Sequence, residues 1–361
     1  MPTHRGPARA VRFLPIALVA AACVGARDAR DGTHAAPRPA VFDHVLVVSV
    51  DGLRSDALLT LPKGSLPGFE QLERGAFTLN ARCDPEFSVT LPNHTAMLTG
   101  RPVHGPAGHD WVLNDEAPKG VTLHSNHGAY VPSIFDVAHD RGVRTALFAG
   151  KPKFSLYDVS YDAEHGAPDT TGADEGRDKL DRFVFTLKTQ EITDGALDAL
   201  AHLGERTLVF AHYATTDLTA HAAGWDVTPG SRYVKAVQEV DAELARILAA
   251  CDADPALRGK TAIVLTADHG GGAPLRSHDR ADMWVDYVIP FVVWTGDREG
   301  EHDLYALSAG GRADPGLTRP PMGRRPPPIR NGEAGNVALA LLGLPPVPGS
   351  VIGAEQDLRV R

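Results

Sequence analysis

Five short apolar runs, rich in β-branched residues, constrain this chain more than any other feature. The first, Val45-Leu46-Val47-Val48-Ser49-Val50, is continuous rather than alternating, and similar runs recur at residues 145–149, 207–211, 261–266 and 289–294. Apolar side chains on both faces of a strand imply burial on both faces, as in a parallel sheet covered by helices. Helical patterns fill the gaps. Residues 231–250 set Val234, Val237, Leu244, Ile247 and Leu248 along one stripe, with Lys235, Gln238, Glu239 and Arg246 elsewhere. Residues 191–203 offer a second helix. The alternation predicts an α/β fold, a three-layer sandwich around a mainly parallel central sheet. Two stretches interrupt it. Residues 152–185, rich in Asp, Gly, Tyr and Phe, are expected to form a cap, and the proline-rich residues 310–330 must be loop.

The placement of acidic and imidazole side chains against these runs carries the chemistry. Asp51 ends the first run in Val50-Asp51-Gly52. Asp217 and His221 follow the run at 207–211, and Asp268-His269-Gly270 follows the run at 261–266. In a parallel sheet the carboxyl ends share one edge, where ligands bind. Each motif alone has an ordinary reading: Asp-Gly as a turn, Asp217 and His221 as a surface pair on one helix face. Together they bring three carboxylates and two histidines to one edge. Packed carboxylates repel, so cations must compensate, and mixed Asp/His ligation favours zinc over magnesium or calcium. The sixteen histidines suit a metal enzyme, and a net charge of -9 gives no support to nucleic acid as a partner.

A hydroxyl stands in Phe87-Ser88-Val89-Thr90-Leu91-Pro92-Asn93-His94. Thr90 becomes a nucleophile if a metal removes its proton and if it opens the helix expected over residues 93–98, whose N-terminus offers N–H groups to an anionic phosphate. Ser88 is the rival nucleophile, and a plain N-cap is the alternative role for either residue.

At this point the sequence resembles the type I phosphodiesterases and nucleotide pyrophosphatases of the alkaline phosphatase superfamily. Asp51-Gly52, Thr90-Leu91-Pro92-Asn93-His94, Asp217-x-x-x-His221-x-x-Gly224-Trp225 and Asp268-His269-Gly270 occur in that family's order, and the likeness extends over residues 43–353. The resemblance implies an alkaline phosphatase-like fold and two zinc ions. One would be held by Asp51, Asp268 and His269 beside Thr90, which would also ligate it. The other would be held by Asp217, His221 and a later histidine. His278 is assigned there because it precedes the run at 289–294; this histidine lies much farther along in the family, which leaves His302 as competitor. Asn114 falls where the family has a phosphate-binding asparagine, with a turn residue as the alternative. Lys151 would either touch substrate or stand as a solvated loop lysine. The implied activity is hydrolysis of a phosphodiester or pyrophosphate in a small-molecule substrate through a phospho-threonine intermediate. A monoesterase and a non-catalytic surface binding protein are the other readings. Thr90-Leu91-Pro92-Asn93 lacks the convertible residue and the arginine of sulfatases, which argues against that chemistry.

Arg5, Arg9 and Arg12 precede an apolar run over 13–22, the pattern of an export signal over residues 1–22. Cys23 follows Val19-Ala20-Ala21-Ala22 and stands either as a lipidation site that would anchor the protein to a membrane or beside ordinary cleavage. Residues 23–40 look like a flexible tether, and 41–355 like the catalytic domain. The expected location is periplasmic or membrane-anchored. Cys83 and Cys251 would form a disulfide or remain free thiols.

Overall fold

A computed structural model describes residues 42–280 and 282–360. The export signal, Cys23 and the tether lie outside them. Seven strands form one sheet: β1 (His44–Val50), β2 (Ala76–Arg82), β3 (Arg144–Ala149), β4 (Arg182–Phe185), β5 (Thr207–Tyr213), β6 (Thr261–Thr266) and β7 (Val288–Trp294), in the spatial order β2-β7-β6-β1-β5-β3-β4. The five apolar runs are all strands, and every residue of β1, β5, β6 and β7 is buried.

β1 lies at the centre, parallel to β5 and to β6, and β3 is parallel to β5 and β4. β7 runs against both of its neighbours, β6 and β2. A continuous apolar run reports burial on both faces but carries no direction, so this reversal could not be read from it. The reversal matters for the site. It brings the start of β7, and the segment leading into it, to the edge where β6 ends, with Thr266 opposite Phe291. Being antiparallel to β7 in turn, β2 ends at the same edge, with Arg82 opposite Val288.

Helices cover both faces. Thr189–His202 packs on β3 and β5 and against Arg232–Ala253, whose apolar stripe is buried and whose N-cap Ser231 accepts from Val234 N–H. The opposite layer holds Ala334–Leu341 against β1 and β6, together with Thr90–Thr99 and Ile134–His139. Part of 152–185 is regular: a helix, Ser155–Ser160, and β4, which extends the sheet beyond β3. Cys83 and Cys251 are buried and unbonded, and burial pushes their thiols up to about 11 and about 12. Among the described residues, no helix is long and apolar enough to cross a membrane.

One close contact invites a stability test. The helix Pro67–Leu72 meets Arg232–Ala253 through Gly68, where an added Cβ would sit 2.4 Å from the Asp241 carbonyl oxygen and 2.8 Å from the Ala245 nitrogen. Gly68→Ala is expected to destabilise the fold by about 1–3 kcal/mol through overpacking. A lowered denaturation midpoint is the expected reading, and an unchanged midpoint would mean the two helices slide apart freely.

Candidate active site

The register of the sheet builds the site. Val50 lies opposite Tyr213, Ser49 opposite Thr266, and Ala149 opposite His212, so β1, β3, β5 and β6 release their chains at a common height. Asp51, Lys151, Asp217 and Asp268 follow within a few residues. Gly52 has φ +67°, and a Cβ there would lie 3.1 Å from Asp217 Cβ, which is why Asp-Gly is required at this turn. Gly270 is confined differently, since a Cβ would sit 2.0 Å from the Val285 carbonyl oxygen.

Asp51 and Asp268 are fully buried and face each other across this edge. Asp268 Oδ1 accepts from Gly52 N–H at 3.0 Å and His269 N–H at 2.9 Å. His269 donates Nδ1–H to the Gly270 carbonyl at 2.8 Å, which leaves a lone pair on Nε2. That nitrogen lies 3.6 Å from Asp51 Oδ1 and 3.2 Å from Asp268 Oδ2. All three atoms are buried without hydrogen-bond partners. Three electron-rich atoms facing one another in a protein interior repel unless a proton or a cation lies between them, and Asp51, Asp268 and His269 form a group that could hold a metal ion.

The second group is adjacent. Asp217, on the helix Thr215–Ala223, has one donor-atom position within 4.8 Å of those of His269 and His278. His278 donates Nδ1–H to the Ser88 carbonyl and stacks on His269 with ring centroids 3.7 Å apart. His221 donates Nδ1–H to the Arg276 carbonyl and holds Nε2 3.3 Å from Asp217 Oδ1, a fourth buried atom with no hydrogen-bond partner. His302 does not reach this edge; it bonds the Gly75 carbonyl and its own carbonyl accepts from Phe77, at the opposite end of β2.

Thr90 is the first residue of the helix Thr90–Thr99, which has no side-chain cap, so the capping role does not apply to it. The Ser88 hydroxyl is committed to the His278 carbonyl at 2.5 Å. Asn114 Oδ1 accepts from Leu91 N–H at 3.0 Å and from Lys153 Nζ at 3.0 Å, leaving its amide nitrogen to donate. β2, which the sequence reading did not identify, delivers this segment.

The solvated-lysine reading of Lys151 is overturned. Its Nζ is buried 2.7 Å from Asp51 Oδ2, 2.6 Å from Asp217 Oδ2 and 3.3 Å from Thr90 Oγ1. Gly150 allows this, because a Cβ there would sit 2.7 Å from Ala214 Cβ and hold the turn away from β5. Electrostatics follow. Burial pushes the Asp51 carboxyl up, but the Lys151 ammonium and His212 outweigh it and hold Asp51 well below the usual range. Against burial and the neighbouring Asp51 charge, Lys151 brings Asp217 down to about 2. Burial and Asp51 push Asp268 well above the carboxylate range. Burial and His278 lower His269 to about 3, keeping it neutral and able to ligate. One ammonium for three carboxylates is too little, and without a further cation Asp268 is the carboxyl that retains its proton.

The sequence assigned no role to three supporting residues, His212, Asn93 and Asn331. Asn331 Nδ2 donates to Asn93 Oδ1 and to the carbonyls of Ala267 and Asp268, which ties the Thr90 helix to the Asp268 turn.

Solved structures of similar shape include a protein in the alkaline phosphatase superfamily from Vibrio parahaemolyticus, at 13% identity over 87% of this chain and 70% of that one, with a TM-score of 0.56. A putative sulfatase from Bacteroides thetaiotaomicron matches at 12% identity over 87% and 74%, with a TM-score of 0.53. The C-terminal periplasmic domain of the phosphoethanolamine transferase EptC from Campylobacter jejuni matches at 11% identity over 89% and 94%, with a TM-score of 0.54. These likenesses define the fold as that of the alkaline phosphatase superfamily. Within it, the chain belongs to the type I phosphodiesterase / nucleotide pyrophosphatase family, whose model matches residues 45–290. That membership makes it a phosphoester hydrolase. No curated protein matches the sequence.

Proposed function

We propose that the chain is an exported zinc hydrolase that cleaves a phosphodiester or pyrophosphate bond of a small molecule through Thr90. Four buried atoms without hydrogen-bond partners carry the reading: Asp51 Oδ1, Asp217 Oδ1, Asp268 Oδ2 and His269 Nε2, all grouped near one hydroxyl. Asp51, Asp268, His269 and Thr90 would hold one zinc ion, and Asp217, His221 and His278 the other. A bound pair of cations would neutralise charge developing on phosphoryl oxygens and favour the ionised hydroxyl. Thr90 Oγ1 attacks phosphorus, the bond to the leaving oxygen breaks, and water later releases the phosphoryl group from Thr90. Lys151, 3.3 Å from Thr90 Oγ1, offers a fixed positive charge to the phosphoryl group. The Asn114 amide donates to a phosphoryl oxygen. Export, and any lipid anchor at Cys23, rest on the sequence of residues 1–23 alone.

One observation favours a second reading, hydrolysis of a monoester. Lys151 lies beside Thr90, and Lys153 Nζ lies 3.0 Å from Asn114 Oδ1, so two ammonium groups border the position of a phosphoryl group with an extra charge. Purified protein given bis-p-nitrophenyl phosphate and p-nitrophenyl phosphate separates the two. Faster, chelator-sensitive turnover of the diester is expected. Preference for the monoester would establish the second reading, and no chelator-sensitive turnover of either would leave a binding protein.

A further inference from the structure

We propose that His212 is a positioning residue that aims Asp51 at its cation, an inference resting on the reading of Asp51 as a ligand. His212 lies near the end of β5, fully buried, with Ser49 of β1 and Ala149 of β3 as its register partners. A polar ring inside an otherwise apolar strand is costly to bury unless both nitrogens are satisfied. They are. Gly150 N–H points at ring Nδ1 from 3.1 Å, sharing its hydrogen with the His212 carbonyl at 3.1 Å. That donor requires a lone pair on Nδ1 and so places the proton on Nε2. Nε2–H then donates to Asp51 Oδ2 at 2.8 Å.

The bond fixes the carboxylate. With Oδ2 held by His212 and Lys151, Oδ1 turns toward His269 Nε2 and remains without a hydrogen-bond partner. The ring itself is clamped: it stacks on Phe154 at 4.1 Å and 19°, and meets the edge of His94 at 4.8 Å and 84°. His94 in turn bonds the Thr90 carbonyl through Nδ1 and Ser49 Oγ through Nε2, each at 2.8 Å. One layer of two imidazoles therefore sets both Asp51 and the first turn of the Thr90 helix. Such outer partners orient a ligand and raise its affinity for metal.

Two variants separate this role from plain packing. His212→Phe keeps a ring to stack on Phe154 but has no donor, and His212→Gln keeps a donor for Asp51. The full chain, stripped of metal, is titrated with zinc alone. His212→Phe is expected to weaken one of two zinc sites by about 10–100-fold and to leave the other unchanged. His212→Gln is expected to recover most of the loss. Unchanged affinities in His212→Phe, or a loss in His212→Gln equal to that in His212→Phe, would overturn the proposal while the two-zinc reading stands. A wild-type chain that binds no zinc would overturn both. Nitrogen-15 shifts of His212 in the wild type provide a check that needs no variant: a proton on Nε2 is expected, and a proton on Nδ1 would overturn the assignment.

Discussion

Thr90→Ala is expected to lower kcat at least about 10³-fold while zinc content stays near that of the wild type. In the proposed mechanism the threonine supplies the attacking oxygen, whereas Asp51, Asp268 and His269 keep their buried lone pairs without it. The helix should survive as well, because its first turn is held by Asn114 on Leu91 N–H and by His94 on the Thr90 carbonyl, not by the Thr90 hydroxyl. Metal analysis and turnover of the preferred ester are measured on the same preparation. Activity near wild type would transfer the reaction to direct attack by water. It would not revive Ser88, whose hydroxyl is bound to the His278 carbonyl.

Asp268→Asn should have a comparable effect by another route. An asparagine oxygen can still accept from Gly52 N–H and His269 N–H, the two bonds that fix this turn at 3.0 and 2.9 Å. Its amide, however, would replace Oδ2 and point hydrogens at the place where a lone pair is needed. The expected outcome is zinc affinity at that site weakened by more than about 100-fold, beyond what loss of an outer partner costs, with turnover falling in parallel. The metal-free protein should be no less stable than wild type, since one of three crowded buried carboxylates is gone. A variant that unfolds would assign Asp268 to the architecture, and one that binds zinc normally would remove it from the ligand set.

How far the sequence led depended on whether a residue acts next to its own strand. Asp51, Asp268 and His269 were legible because each follows closely on an apolar run that ends at one edge of the sheet, and Asp217 because it stands in the first turn of the helix after such a run. Thr90 was legible from its motif, but the means of delivering it was not: β2 is an edge strand with half-exposed positions and with Asn80 and Arg82 inside it, so it lacks the continuous apolar signal. Lys151 looked like a surface lysine because Lys-Pro-Lys is an ordinary turn sequence. Its burial depends on Asp51 and Asp217, 100 and 66 residues away, which local pattern does not encode. The roles of His212 and Asn331 were not legible for the same reason, since each acts through partners supplied by other segments.

The central position of β1 has a consequence for how the molecule is made. Its neighbours are β5 and β6, so His44 finds its register partners only at Thr207 and Thr261. A ribosome must therefore deliver most of the domain before the first strand can be covered, and until then its run of valines stays open to chaperones or to other chains. Assembly from such distant pieces is slow and prone to aggregation at high concentration.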